Sequence, residues 1–125
     1  MQEVMLWSAT AVSVVTFVVH TFVGGVYVAR PLLEDQALPR ASKWLNYYCW
    51  HVTTILILGM ASAFAYCAVH PEHLDLVVFM SALAAALSIL SAAVAVKGRI
   101  HPLRFPSTSL FALSAVLGGT GLAFS

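Results

Sequence analysis

The sequence predicts an all-α protein, a four-helix transmembrane bundle with both termini on the outer side. Three observations lead there. The chain has 125 residues, 61% hydrophobic and 9% charged, where a soluble domain carries about 25% charged residues. That is too little ionic surface to face water. Four stretches, residues 4–29, 44–69, 76–96 and 105–125, contain no Lys, Arg, Asp or Glu. Each supplies the roughly 20 apolar residues that cross a hydrocarbon layer about 30 Å thick at 1.5 Å rise per residue. All six Lys and Arg residues fall in the segments 30–43 and 97–104. The positive-inside rule assigns both segments to the cytoplasm, and the termini and loop 70–75 to the outside.

The four stretches cover 94 of the 125 residues, so a single integral membrane domain, residues 1–125, is expected. A membrane barrel needs short segments alternating between lipid and lumen, whereas "MSALAAALSILSAAVAV" is continuous and Ala-rich. "MQEVM" lacks the positive start of a signal peptide, so the first helix is expected to be retained. The expected location is a bacterial inner (plasma) membrane. The lipid bilayer is the first partner, and a homo-oligomer or larger membrane complex is the expected setting. A net charge of +1 makes no case for nucleic acid; interfacial cations are accounted for by topology and anionic lipid.

The first helix carries its less apolar residues, Thr10, Ser13, Thr16, His20, Gly24 and Tyr27, at spacings of three or four, hence on one face. Pro31 favours ending it nearby. In the second helix a similar line runs through Tyr47, His51, Thr54, Leu58 and Ser62. Trp44, Tyr47, Tyr48 and Trp50 read as an aromatic belt at the inner interface, with Trp7 near the outer one. Cys49 and Cys67 lie about 27 Å apart along that helix and cannot bridge within one chain; they read as apolar fillers. The third helix offers a small-residue seam, Ser81, Ala85, Ser88, Ala92 and Ala95, that lets membrane helices approach closely. The fourth contributes Ser107, Ser114, Gly118 and Gly121, with Ser107 as its expected N-cap.

Histidines carry what chemistry there is. His20 lies about 14 Å from the inner end of the first helix and His51 about 10 Å from the inner end of the second. Antiparallel neighbours place both at similar depth, near Ser88 and Ser114. An imidazole in lipid needs a partner, so intramembrane ionisable residues raise functional hypotheses. Three readings stand open. His20 and His51 could ligate haem b axially or contact a quinone, with Gly24 and Gly25 making room for a flat macrocycle. They could hold a transition metal, although no third strong ligand lies nearby in sequence. Or each could hydrogen-bond within the bundle and fix its packing.

The outer loop "HPEHLD" sets His70, Glu72, His73 and Asp75 within six residues. His70, Glu72 and His73 are the candidate ligands for Zn or Cu; the plain alternative is a polar turn meeting water. His101, between Arg99 and Arg104, reads as an interfacial residue near lipid phosphate. "GGTG" at 118–121 follows no strand and lacks a P-loop Lys. No span holds Asp or Glu, which argues against a proton-coupled exporter. No hydrolase or metalloprotease motif is present, and no catalytic residue is expected.

"VVHTFVGG" followed by "YYCWH" resembles small uncharacterised four-helix proteins of bacterial inner membranes, which implies a fold and no activity. The four-span layout is also similar in topology to the membrane-associated eicosanoid and glutathione metabolism superfamily. "RASKWLNYYC" has Arg40 and Asn46 but lacks the acidic residue expected after the Asn, so no catalytic residue carries over. The expected function is that of an accessory or interaction subunit; the alternative is a redox-type binding protein using His20 and His51.

Overall fold

The computed structural model describes all 125 residues and is all-α. Four helices follow one another: α1 (Gln2–Glu34), α2 (Arg40–Val69), α3 (Leu74–Lys97) and α4 (Pro106–Ala123). The first three are long and apolar enough to cross a membrane. The segment expected as a fourth span at 105–125 is an 18-residue helix that is not among the three long and apolar enough to cross. At about 27 Å it is marginal for a hydrocarbon layer of about 30 Å, and its Pro-Ser-Thr-Ser start and Gly-Gly-Thr-Gly segment dilute its apolar character.

The helices run up and down, so the chain has two distinct ends. At the terminal end, Met1, Pro71 and Phe124 line one depression of about 310 Å³ with Cys67. The connections that hold Arg30, Arg40, Lys43, Lys97, Arg99 and Arg104 form the opposite, cationic end. α1 packs along both α2 and α4, and α3 packs along α4. α2 and α3 meet only sparingly, and the bundle closes along half its length. Its core is Leu6 and Ala9 of α1, Ile57, Met60, Phe64 and Cys67 of α2, Val77 and Ala84 of α3, and Phe111 of α4. On α2 every buried residue lies at or beyond Ile57. Toward the cationic end the α1/α2 pair and the α3/α4 pair part company.

Close approach at the terminal end depends on missing side chains. A Cβ at Gly118 would meet Ser81 Oγ and lie 2.9 Å from Phe64 Cε1. Gly118 thus lets α2, α3 and α4 converge on Phe64, which is 0% exposed. This is the small-residue packing that membrane helices use when lipid supplies no hydrophobic drive. At the cationic end α3 and α4 are joined by hydroxyls instead. Ser91 Oγ lies 2.7 Å from Ser107 Oγ and 2.8 Å from Thr108 Oγ1, and Ser88 Oγ donates to the Thr108 carbonyl at 2.8 Å. The Ser81–Ala95 seam therefore faces α4. Ser107 does not cap α4 by its side chain; Phe105 takes that position, Pro106 starts the helix, and the Ser107 hydroxyl serves the α3 contact.

The connections are tied locally. Asp35 Oδ1 accepts from the Leu38 N–H at 3.2 Å and also from Ala37, and Lys43 Nζ donates to the Leu33 carbonyl at 3.1 Å. After α3 the Ile100 N–H bonds back to the Ala95 carbonyl at 2.9 Å, with Arg99 at φ 57°. This is the left-handed C-terminal motif usually built on Gly. His101 Nδ1 accepts from the Leu103 N–H at 3.3 Å, which makes it a turn-capping residue.

Two features depart from the sequence expectation. α1 does not end at Pro31 but continues to Glu34, after two π-helical turns, Val19–Val23 and Gly25–Ala29. In a π-turn each N–H reaches five residues back, as Arg30 does to Gly25. The widened turn relieves the clash between a proline ring and the carbonyl four residues before it. The extra residues also rotate the helix face. Tyr27, expected on the packed stripe of α1, is 77% exposed, while Ala29 is buried.

The second departure is the face of α2. Of Tyr47, His51, Thr54, Leu58 and Ser62 none is buried, and His51, Leu58 and Ser62 are exposed; the packed side is Ile57, Met60, Ala61, Phe64, Cys67 and Ala68, with half-buried Thr54 in line with Trp50 and Ile57. Thr54 and Ser62 donate to the carbonyls four residues back, Trp50 and Leu58, at 3.1 and 2.9 Å. Ser62 is exposed, so a hydroxyl satisfied within its own helix can face outward. Cys67 is a buried filler as expected, whereas Cys49 is exposed.

Candidate functional site

His20 is partnered by Trp50. Its Nε2 lies 3.2 Å from the Trp50 carbonyl oxygen, and its ring stacks on the indole with centroids 3.9 Å apart and planes 18° from parallel. A carbonyl only accepts, so this bond fixes the tautomer with the proton on Nε2 and leaves Nδ1 as acceptor. The same carbonyl accepts from Thr54 Oγ1 at 3.1 Å. Gly24, one turn beyond His20, is the seat of the indole: a Cβ there would lie 2.5 Å from Trp50 Cη2 and 3.2 Å from Cζ2. The room expected for a macrocycle at Gly24 is occupied by Trp50.

His51 has a different environment. It is exposed, with Tyr47 edge-on against it at 4.6 Å and 86°. It neither stacks on nor hydrogen-bonds to His20. Each imidazole has its own aromatic neighbour, and the residue that meets His20 across to α2 is Trp50, which composition alone placed in an interfacial belt. Its signal in the sequence was the pairing of His20 with a glycine four residues on, a polar group beside a gap on one helix face.

A groove of about 400 Å³ lies beside this contact, between the cationic-end part of α1 and the start of α2. Thr21, Gly25, Arg30, Tyr47, Trp50 and His51 are among its walls. Arg30 Nε pairs with Glu34 Oε1 at 3.0 Å, on the exposed rim.

At the terminal end the 70–73 turn gathers its polar side chains around Tyr66. Tyr66 Oη is 3.2 Å from His73 Nε2, and its ring lies 4.5 Å from that of His70 and 5.3 Å from that of His73. Glu72 Oε1 sits between the imidazoles, 3.6 Å from His70 Nδ1 and 3.9 Å from His73 Nε2. The structure thus brings His70, Glu72 and His73 near one another. Yet His73 Nε2 is turned to Tyr66, and no group of three or more His, Cys, Asp or Glu side chains converges as a metal site. Asp75 stands in the first turn of α3, where a carboxylate suits the helix dipole.

No family model, curated protein or solved structure matches the chain.

Proposed function

We propose that this chain is a four-span bacterial inner-membrane protein, an accessory or interaction subunit that works as an oligomer or within a larger membrane complex. The observation that carries the reading is the half-open bundle. α2 buries nothing before Ile57, and α2 and α3 meet only sparingly, so the cationic-end half of α2 is left for a helix of another subunit to cover. Large apolar side chains such as Phe22, Trp44, Leu45 and Ile55 are exposed, as befits surfaces meeting lipid or a partner span. The cation distribution favours segments 30–43 and 97–104 in the cytoplasm, with both termini outside.

His20 supports the same reading. Its Nε2 and one ring face are engaged by Trp50, which favours packing over haem or metal ligation. Axial ligation shared with His51 would require His20 to surrender that bond and that stack.

Cys49, exposed on the open half of α2, provides the test. With Cys67 replaced by Ser, oxidative cross-linking in native membranes should join Cys49 of one subunit to another subunit or to a partner. A protein recovered from native membranes as a bare monomer, with no cross-link and no co-purifying chain, would refute the reading. A reporter fused after Ser125 should behave as external and one inserted near Ala37 as internal.

A further inference from the structure

The three connections between helices use their charges differently. Between α1 and α2, Arg30 pairs with Glu34 at 3.0 Å, Lys43 donates to the Leu33 carbonyl at 3.1 Å, and only Arg40 is left without a partner. Between α2 and α3, Glu72 stands 3.6 and 3.9 Å from two imidazoles. The α3–α4 connection has no carboxylate at all. It holds Lys97, Arg99 and Arg104 within eight residues, and no acidic residue follows Asp75 in the chain. All three cations are exposed and none is in an ion pair. Lys97 suits the C-terminal dipole of α3. Arg99 and Arg104 lie beyond that helix and have no such use.

The same connection exposes apolar side chains among those cations. Leu103 is 70% exposed and Ile100 40%. Its backbone is bonded through most of its length. The Ile100 N–H donates to the Ala95 carbonyl at 2.9 Å, the Arg104 N–H to the His101 carbonyl at 2.9 Å, and the Phe105 N–H to the Pro102 carbonyl at 3.0 Å. The 3₁₀ turn Pro102–Arg104 lies against α3, so the connection folds back on the helix it leaves. Cations and apolar side chains are thus held together on a fixed backbone.

Position and chemistry together select the occupant. α3 is long and apolar enough to cross a membrane and ends at Lys97, so the connection starts where hydrocarbon gives way to headgroups. Lipid phosphates and the upper acyl chains meet at that depth. Guanidinium groups suit the phosphate oxygens, and Leu103 and Ile100 suit the acyl boundary, the division of labour found in interfacial segments. An acidic protein segment would satisfy the cations but gives the exposed Leu103 and Ile100 no partner. A zwitterionic headgroup brings a cation of its own, so charge complementarity favours an anionic one.

We propose that the α3–α4 connection binds the phosphate headgroup of an anionic phospholipid, with Arg99 and Arg104 on the phosphate, Lys97 beside them, and Leu103 among the acyl chains. The proposal rests on α3 as a membrane span and does not depend on the assembly reading.

Native mass spectrometry of the full chain, released from micelles and titrated with phosphatidylglycerol or phosphatidylcholine, counts the lipids bound. One phosphatidylglycerol should bind more tightly than any that follow, and more tightly than phosphatidylcholine. Arg99→Gln and Arg104→Gln should each weaken it about fivefold, the worth of one cation at a membrane surface. Arg40→Gln, which removes the unpaired cation of the other connection, should change it by less than about twofold. Thermal melting checks that these exposed substitutions leave the fold intact. Equal losses at Arg40, Arg99 and Arg104 would reveal a response to the charge of the whole end and overturn the site. Phosphatidylcholine bound as tightly would also overturn it, as would displacement of the lipid by inorganic phosphate at constant ionic strength. A second readout needs no change of charge. With Cys49→Ser and Cys67→Ala, a nitroxide on Leu103→Cys in phosphatidylglycerol nanodiscs should be relaxed more by oxygen than by a nickel chelate. The reverse order would place Leu103 in water and contradict the proposal.

Discussion

Gly24 and Gly25 are adjacent in sequence, yet the structure predicts opposite responses to the same substitution. In Gly24→Ala the new methyl carbon would lie 2.5 Å from Trp50 Cη2 and 3.2 Å from Cζ2. Carbon atoms prefer about 3.5–4.0 Å, so the indole must retreat by about 1 Å. It is not free to do so, being stacked on His20 at 3.9 Å. Overpacking costs about 1–3 kcal/mol, and loosening the stack adds about 0.5–1.5 kcal/mol. The higher helix propensity of Ala returns up to about 1 kcal/mol. A net loss of about 0.5–4.5 kcal/mol is expected. In Gly25→Ala the methyl meets nothing within 4 Å, leaving only the propensity gain, so stability should be unchanged or raised by up to about 1 kcal/mol. Reversible unfolding in mixed micelles, followed by far-UV circular dichroism, gives both values. On a Trp50→Leu background Gly24→Ala should become nearly harmless. Equal effects of the two substitutions, or a greater loss at Gly25, would refute the seating of Trp50 on Gly24.

Two further outcomes follow from the other helix contacts. Phe64→Ala empties the point where α2, α3 and α4 converge on Gly118, and should lower stability by about 3–5 kcal/mol in the same unfolding assay. Ser91→Ala removes the hydroxyl shared by Ser107 and Thr108 and should cost on the order of 1 kcal/mol. Ser62→Ala, exposed and bonded only within α2, should cost almost nothing.

Helix number and placement were legible because lipid selects long uncharged stretches, and residues 4–29, 44–69 and 76–96 met that rule without ambiguity. Faces were harder to read. In water polarity marks the outside; in a bilayer Ser62 bonds its own helix and faces outward, while Ile57 and Phe64 fill the interior. The stripe through Thr10, Ser13, Thr16, His20 and Gly24 was sound because α1 is α-helical through most of it. It failed at Tyr27, where two π-turns had shifted the register. The matched depth of His20 and His51 followed from counting residues. Depth carries no azimuth, however, and the ring that meets His20 belongs to Trp50, one residue earlier. The Ser81–Ala95 seam was legible because small residues at spacings of three or four have few other uses in lipid.

His20 ties the cationic-end part of α1 to α2 through Trp50, and a double-mutant cycle of His20→Ala and Trp50→Ala measures that tie directly. The stack and the neighbouring hydrogen bond predict a coupling of about 1 kcal/mol, with each single variant less stable than the parent and the double variant less destabilised than their sum. Additive losses would contradict the account, as would a native protein with a haem absorption band that His20→Ala abolishes.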